Sequence, residues 1–484
     1  MISLDRTTPK ALHRQIYDAC RTAIVEGRLH SGQRIPSSRV LADELGVSRC
    51  PVLNAYAQLL AEGYFEARVG SGTVVSRGLP DRNSASQENK SRHTGEKLGP
   101  RRVSHGSSIL PPFRHLLASL HSRGAFAVGQ VAIDHFPMNI WSALITRHRR
   151  NLGSLQYGDP MGSMDLRECI ATYLRTVRAV SCQADQIMIV SGSQQALAIS
   201  TRVLLDPEDS VWVEEPGYRF AKDAFTMAGS RLVPVPVDNE GMVVAAGIKK
   251  CRNAKVAMVT PSHQFPLGVT MSAARRLRLL EWARTSGSWI LEDDYDSEYR
   301  YEGSPISSLQ GLDNNARVIY IGTFSKVLFP ALRLAYVVIP PDLVDRFLAV
   351  RIATDLTPAR FFHPVLADFI REGHFYRHIR RMRALYRGRH NALVDSIREQ
   401  FGDKLELAGL GAGLHLVVTL PAGLRDREIA KRAAREDLWL QPLSPAYLGE
   451  ASRQGLILGF GSTPEEKAPH AVRKLKNLLD PSRI

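Results

Sequence analysis

From residue 77 to about 112 the chain is rich in Ser, Gly, Asn, Arg and Lys and almost devoid of large apolar side chains, which divides its 484 residues into two parts that must fold separately. Such a segment buries too little apolar surface to offset the entropy of ordering it, so it reads as a flexible linker. The flanks differ in kind. Residues 1–76 carry short amphipathic helical patterns and one glycine-rich hairpin. From about 113 to 484, apolar runs of strand length alternate with longer helical patterns, as in an α/β domain with a mostly parallel sheet. The runs are QIMIVSG, SVWVEEP, KVAMVTP, SWILEDD, RVIYIGT and LRLAYVVIP.

Apolar content of 44% and charged content of 23% are those of a globular protein. No apolar run reaches the roughly 18 residues of a membrane span. The N-terminus, MISLDRTTPKALHRQIYDAC, lacks the apolar core of a signal peptide, so a cytoplasmic protein is expected. Cys20, Cys50, Cys169, Cys182 and Cys251 are odd in number and form no CxxC pair. That argues against a disulfide framework, and no metal is expected. The formal net charge of +15 favours a polyanionic partner.

The first part sharpens that expectation. Apolar spacing predicts a helix over 9–26, with Leu12, Ile16, Ala19, Ala23 and Ile24 on one face. A second helix is predicted from Ser37 or Ser38 to Leu45, with Val40, Leu41 and Leu45 apolar. Ser48 is placed to cap a third, over 49–62, with Val52, Tyr56, Leu59 and Leu60 inward. YFEARVGSGTVVS then forms a hairpin around Gly70-Ser71-Gly72. This is a winged helix-turn-helix layout, and GQRIPSSRVLADELGVSRCPVLNAYAQLLAEGYFEARVGSGTVV resembles the GntR family of bacterial regulators. The resemblance implies that Arg39, Ser48, Arg49 and the wing residues Ser71, Gly72 and Thr73 face double-stranded operator DNA. Cys50-Pro51 replaces residues that are often polar in that family; proline is tolerated in a first helical turn.

In the second part, IGTFSKVLFPALRLAY ends an apolar strand in Thr323, Ser325 and Lys326, with Arg333 seven residues after the lysine. A lysine there can form a Schiff base with an aldehyde cofactor while the hydroxyls and the arginine bind its phosphate. SGSWILEDDYDSEYRY ends another strand in carboxylates, at the sheet edge where open α/β folds bind ligands.

Residues 113–484 resemble the fold-type I aminotransferases that use pyridoxal 5′-phosphate, and the whole chain resembles the MocR (GabR-like) subfamily of GntR regulators. The resemblance implies an α/β architecture: a winged helix-turn-helix, a linker, and an aminotransferase-like domain with a small C-terminal α+β subdomain. It implies Lys326 as the Schiff-base lysine, Asp293 against the pyridine nitrogen, Tyr295 on the phenolic oxygen and Tyr218 on the ring face. Ser193 and Gln194 of SGSQQAL, with Thr323, Ser325 and Arg333, would hold the phosphate. Tyr157 of YGDPMG would reach the phosphate of a neighbouring subunit, which implies a homodimer.

Two departures bear on activity. Where aminotransferases carry the asparagine of an NPTG motif, this chain has TPSHQFPLG with Phe265 in its place, leaving His263 or Gln264 to substitute. In GLILGFGS, Ile457 stands before Phe460 where an arginine would grip the substrate carboxylate, and an isoleucine cannot make that bidentate clamp. The expectation is a regulator that senses pyridoxal phosphate or an amine reacting with it, with at most a vestigial half-reaction. The alternative is a working aminotransferase with an appended DNA-binding arm. The arginine-rich stretch 371–391 reads as a solvated or salt-bridged helix entering the C-terminal subdomain.

Overall fold

The computed structural model describes residues 2–68, 72–79, 104–110, 124–150, 153, 156–303 and 306–480. The chain forms two compact units, Met1–Arg102 and Val103–Ile484. Most of the expected linker lies outside the described residues. Its last part does not behave as a linker: Ser104 caps a short helix, His105–Ile109. Gly106 there lies so close to the second unit's backbone that an added Cβ would stand 3.2 Å from the Met227 carbonyl oxygen.

In the first unit, helices α1 (Leu12–Val25), α2 (Ser38–Leu45) and α3 (Arg49–Ala61) precede strands β1 (Phe65–Arg68) and β2 (Gly72–Val75). The strands pair antiparallel from Phe65 with Val75 to Arg68 with Gly72. Ser37 caps α2 by accepting from the Val40 N–H, and Gly46, left-handed at φ 61°, ends it. Ile16, Tyr17, Cys20, Leu41, Val52, Ala55, Tyr56, Leu59, Phe65 and Val75 form the core. The inner face of α1 is thus built on Tyr17 and Cys20 more than on Leu12 and Ala19, which are half-buried. Val40, one of the apolar residues of that helix, is 48% exposed, while Leu41 and Ala42 are its buried residues.

The second unit is built on an eight-stranded sheet in the order β3-β10-β9-β8-β7-β4-β5-β6. The strands are β3 (Ile187–Val190), β4 (Ser210–Glu215), β5 (Arg231–Asp238), β6 (Gly241–Met242), β7 (Val256–Val259), β8 (Trp289–Asp294), β9 (Val318–Thr323) and β10 (Ala335–Val338). From β5 through β4, β7 and β8 to β9 all pairs are parallel. β10 runs antiparallel to both β9 and β3, and β6 antiparallel to β5. All six sequence runs are strands of this sheet, β3 at its edge and the other five inside it. β5 is not announced by its sequence, because RLVPVPVD carries two prolines; it sits beside the two-residue β6, near the sheet edge where missing donors are tolerated.

Helices cover both faces, which explains the near-continuous apolar strands. On one face Val211, Met258, Leu291 and Ile319 pack with Ala196, Leu197 and Phe347. On the other, Trp212, Ala257 and Ile290 pack with Leu279, Trp282 and Ala283, the two indoles stacked at 3.9 Å.

A four-stranded antiparallel sheet forms the smaller C-terminal part: β11 (Leu407–Ala408), β12 (His415–Thr419), β13 (Gln441–Pro442) and β14 (Gly455–Gly459), in the order β11-β12-β14-β13. Its helices include the arginine-rich one, which spans His374–Phe401 and starts after Gly373, left-handed at φ 77°. Several of its arginines are tied to backbone rather than to acids. Arg377, Arg383 and Arg387 donate to the carbonyls of Glu372, Glu298 and Tyr301. Among the described residues no helix is long and apolar enough to cross a membrane.

Candidate cofactor site and nucleic-acid interface

Sheet order alone gathers the expected phosphate and amine groups. Because β10 lies between β3 and β9, Ala335 pairs with both Val190 and Thr323. The segments that continue from these three residues therefore meet at one edge: Ser191-Gly192-Ser193, Phe324-Ser325-Lys326, and Arg333 just before Ala335. Gly192 has φ 120°, and the helix Ser193–Leu204 starts directly after it. A Cβ on Gly192 would stand 2.6 Å from Arg333 Nη2, so only glycine lets the guanidinium lie over that helix start. Arg333 itself is left-handed at φ 51°. Free N–H groups of a first helical turn beside a guanidinium make an anion cradle. Gln194 Nε2 is buried there without a partner. Thr323 Oγ1 accepts from the Ser325 N–H at 3.2 Å, turning the chain so that Lys326 points inward.

Lys326 Nζ donates to the Gly129 carbonyl at 2.8 Å. Gly129 has φ 80°, and a Cβ on it would come within 2.8 Å of Nζ. Burial depresses the lysine's pKa, opposed by the negative charges of Asp296 and Asp293. A depressed pKa favours the neutral amine, the nucleophilic form.

The carboxylates of β8 separate by strand alternation. Glu292 accepts the N–H groups of Leu309 and Gln310, both at 2.8 Å. Asp294 is held by Arg178 at 2.8 Å and by the Tyr320 hydroxyl at 2.5 Å. Both of those bonds take Asp294 Oδ2; its Oδ1, like Oδ1 of Asp293 on the opposite face, is buried without a partner. Burial pushes the Asp293 pKa up to about 7, with Asp294, Asp296 and Glu214 adding to the rise and Lys326 opposing it. A buried carboxyl with an open oxygen is suited to a cationic ring N–H, which would return it to the charged form.

The Tyr295 hydroxyl stands 3.0 Å from His263 Nδ1. Tyr218, at the start of the helix Arg219–Met227, lies edge-to-face with Phe265 at 5.6 Å, and burial raises its pKa. Tyr157 is not tied into this group in a single chain; it is 84% exposed. Lys326, Asp293, Tyr295, Tyr218, Ser193, Gln194, Thr323, Ser325 and Arg333 line the ends and turns of neighbouring strands. An amine, an open buried carboxyl and a glycine-floored cradle under a guanidinium match the aldehyde, ring nitrogen and phosphate of pyridoxal phosphate.

Other contributors were not legible. Gly129 lies 197 residues from its lysine, with no motif to announce it. Glu214, its pKa pushed up to about 7 by burial, accepts from Thr260 and Gln264 beneath the site. Phe265 and Ile457 both lie among ring or apolar neighbours. Phe265 packs against Tyr218, Tyr295 and His415. Ile457 is 2% exposed among Val237, Leu267, Val417 and Leu443.

In the first unit, Ser48, Arg49 and Cys50 are exposed at the start of α3, and Arg39 at the start of α2. Ser48 takes the cap position without a side-chain capping bond, which leaves its hydroxyl available. Arg49 Nε donates to Ser38 Oγ at 2.9 Å. Gly72 and Thr73 open the wing's second strand; Ser71 lies outside the described residues. Arg34, which no sequence motif announces, lies over Gly72, its Nη2 3.6 Å from where a Cβ would be.

Comparison with known proteins agrees with both halves. Residues 12–75 match the family of bacterial regulatory proteins of the gntR family, and residues 126–473 match aminotransferase class I and II. The chain is 38% identical over 479 residues to the probable rhizopine catabolism regulatory protein MocR of Rhizobium meliloti, covering 99% of this chain and 95% of that one. It is 29% identical to the pyridoxine biosynthesis transcriptional regulator PdxR of Corynebacterium glutamicum, covering 96% and 95%. Among solved structures, the Pyrococcus horikoshii kynurenine aminotransferase superposes with a TM-score of 0.72 at 30% identity, over 78% of this chain and 96% of that one. The chain therefore belongs to the MocR subfamily of GntR regulators, transcription regulators that join a winged helix-turn-helix to an aminotransferase-class fold taking pyridoxal 5′-phosphate.

Proposed function

We propose that this regulator senses pyridoxal phosphate, or a small amine that reacts with it, and converts the state of that site into a change in operator binding, without running an aminotransferase cycle. When bound, pyridoxal phosphate supplies an aldehyde that condenses with primary amines and a ring that withdraws electrons from them. Lys326 presents the amine that holds it, Asp293 holds the ring N–H, and Tyr218 covers a ring face. Tyr295 donates to the phenolic oxygen. The Ser193 and Gln194 helix start, Thr323, Ser325 and Arg333 take the phosphate, with Tyr157 supplied by the second subunit of a homodimer. On DNA, Arg39, Ser48 and Arg49 occupy the major groove and its phosphates, and Ser71, Gly72 and Thr73 form the wing.

The observation that carries the non-enzymatic reading is the burial of Ile457 in an apolar cluster, at the position to which the resemblance assigns the carboxylate clamp. Without a bidentate cation, an α-amino acid is neither held nor oriented for repeated proton transfer. The name of PdxR, tied to pyridoxine biosynthesis, supports pyridoxal phosphate itself as a sensed molecule. The intact lysine and aspartate and the likeness to kynurenine aminotransferase favour the enzymatic alternative.

Incubation of the loaded protein with an amino donor and a keto acceptor separates the two. The expected outcome is keto-acid release limited to one equivalent per site. Sustained turnover over many equivalents would establish the alternative.

A further inference from the structure

We propose that His263, held by Asp296, aims the Tyr295 hydroxyl at the cofactor's phenolic oxygen and so serves in place of the asparagine replaced by Phe265. This rests on the pyridoxal-site reading above. Of the two polar neighbours of Phe265, Gln264 is fully engaged. Its Nε2 donates to Glu214 Oε2 and to the carbonyls of Pro216 and Phe265, and its Oε1 accepts from the Leu267 N–H. It has nothing left to offer a ligand.

His263 is different. Its Nδ1 faces three oxygens at once: Tyr295 Oη at 3.0 Å and both Asp296 oxygens at 3.1 and 3.2 Å. One imidazole nitrogen either donates or accepts. As an acceptor, Nδ1 would set its lone pair against a carboxylate in a buried site. As a donor, it gives its hydrogen to Asp296 and to the tyrosine oxygen together. Nε2, buried and without a partner, then carries a lone pair, a lesser cost than an orphaned N–H. The donor tautomer follows, and Tyr295 cannot give its proton to the histidine. Its O–H is left to donate outward, to the ligand.

The ring cannot turn away from this task. A Cβ on Gly413 would lie 1.9 Å from His263 Cε1, and one on Gly268 would lie 3.1 Å from Nε2. His415, whose ring stands 4.9 Å away, is pinned by donating to the Pro266 carbonyl. With Phe265 unable to donate, the phenolic oxygen is left with Tyr295 as its donor on that side, so the orientation of one hydroxyl matters more.

The test is the pH titration of the cofactor's absorption band in full-length, pyridoxal-phosphate-loaded protein, with borohydride reduction as the check on linkage. The groups facing this region are Asp293, Asp294, Asp296 and Glu214 around Tyr295, Asp293, Asp296 and Arg333 around Lys326, and His263 beside His415. The substitutions leave all of them except His263 and Tyr295 in place. A donor stabilises the anionic oxygen, so losing its orientation raises the midpoint. His263→Phe is expected to raise it by about one pH unit, and Tyr295→Phe by at least as much. The double variant should titrate no higher than Tyr295→Phe, because the histidine acts through the tyrosine. His263→Asn, whose amide N–H stands near the Nδ1 position, should return the wild-type midpoint. If His263→Phe fails to fold, His263→Leu reads the same shift. A wild-type midpoint in the Phe or Leu variant with a reducible band, or full additivity in the double, overturns the role of His263 alone. Wild-type protein without a reducible band overturns the pyridoxal-site reading, and this proposal with it.

Discussion

Lys326→Ala is expected to remove every trace of cofactor that borohydride can fix to the protein, together with the near-visible absorption band, while leaving the fold intact. The fold should survive because Lys326 Nζ contributes one hydrogen bond, to the Gly129 carbonyl, and sits in a place that disfavours its charged form. Truncation relieves that desolvation and leaves only a small void beside the site. Non-covalent binding through Asp293, Arg333 and the Ser193 helix start should persist, weaker by at least about a hundredfold, which is roughly 2.8 kcal/mol. Absorption spectra and mass measurement after reduction check the first part, and circular dichroism checks the fold. Covalent cofactor retained in the variant would show that another lysine is the attachment point.

Arg49→Ala is expected to weaken operator binding by tenfold to a hundredfold, or about 1–3 kcal/mol for each half-site. Arg49 is exposed at the first turn of α3, where a helix start meets the major groove, and its guanidinium is braced by Ser38 Oγ. Bracing lowers the entropy lost when the side chain is fixed on DNA. If the contact is to phosphate, the slope of log affinity against log salt should also become shallower by about one per half-site. Titrations at several salt concentrations read both effects. Unchanged affinity across salt would place the recognition surface elsewhere.

How much of this was readable in the sequence follows from distance along the chain. The six strands announce themselves by apolar runs and the three N-terminal helices by local period, and Lys326 and Asp293 by the strands that end in them. β5 was hidden by Pro234 and Pro236. The choice of Asp293 over Asp294 came from resemblance; its physical reason appears only when Arg178, 116 residues away, is seen to neutralise Asp294. Gly129, Glu214 and the Asp296 partner of His263 depend on segments that meet only in the folded sheet. Which apolar residue of α2 is buried was not legible either: the eight-residue helix buries Leu41 and Ala42 and leaves Val40 exposed. The residues around Ser104 looked like linker by composition, yet a serine cap and a glycine with close access to Met227 let them pack.

Coupling between the cofactor site and the DNA site would make each ligand change the other's binding free energy. Operator DNA from upstream of the neighbouring operon, titrated with wild-type protein and with Lys326→Ala, each with and without pyridoxal phosphate, tests it directly. Pyridoxal phosphate is expected to change the wild-type affinity by at least about fivefold, or to alter the protected footprint, and Lys326→Ala to lose most of this response. Identical affinity and footprint in all four titrations, with the wild type shown to carry reducible cofactor, would contradict it.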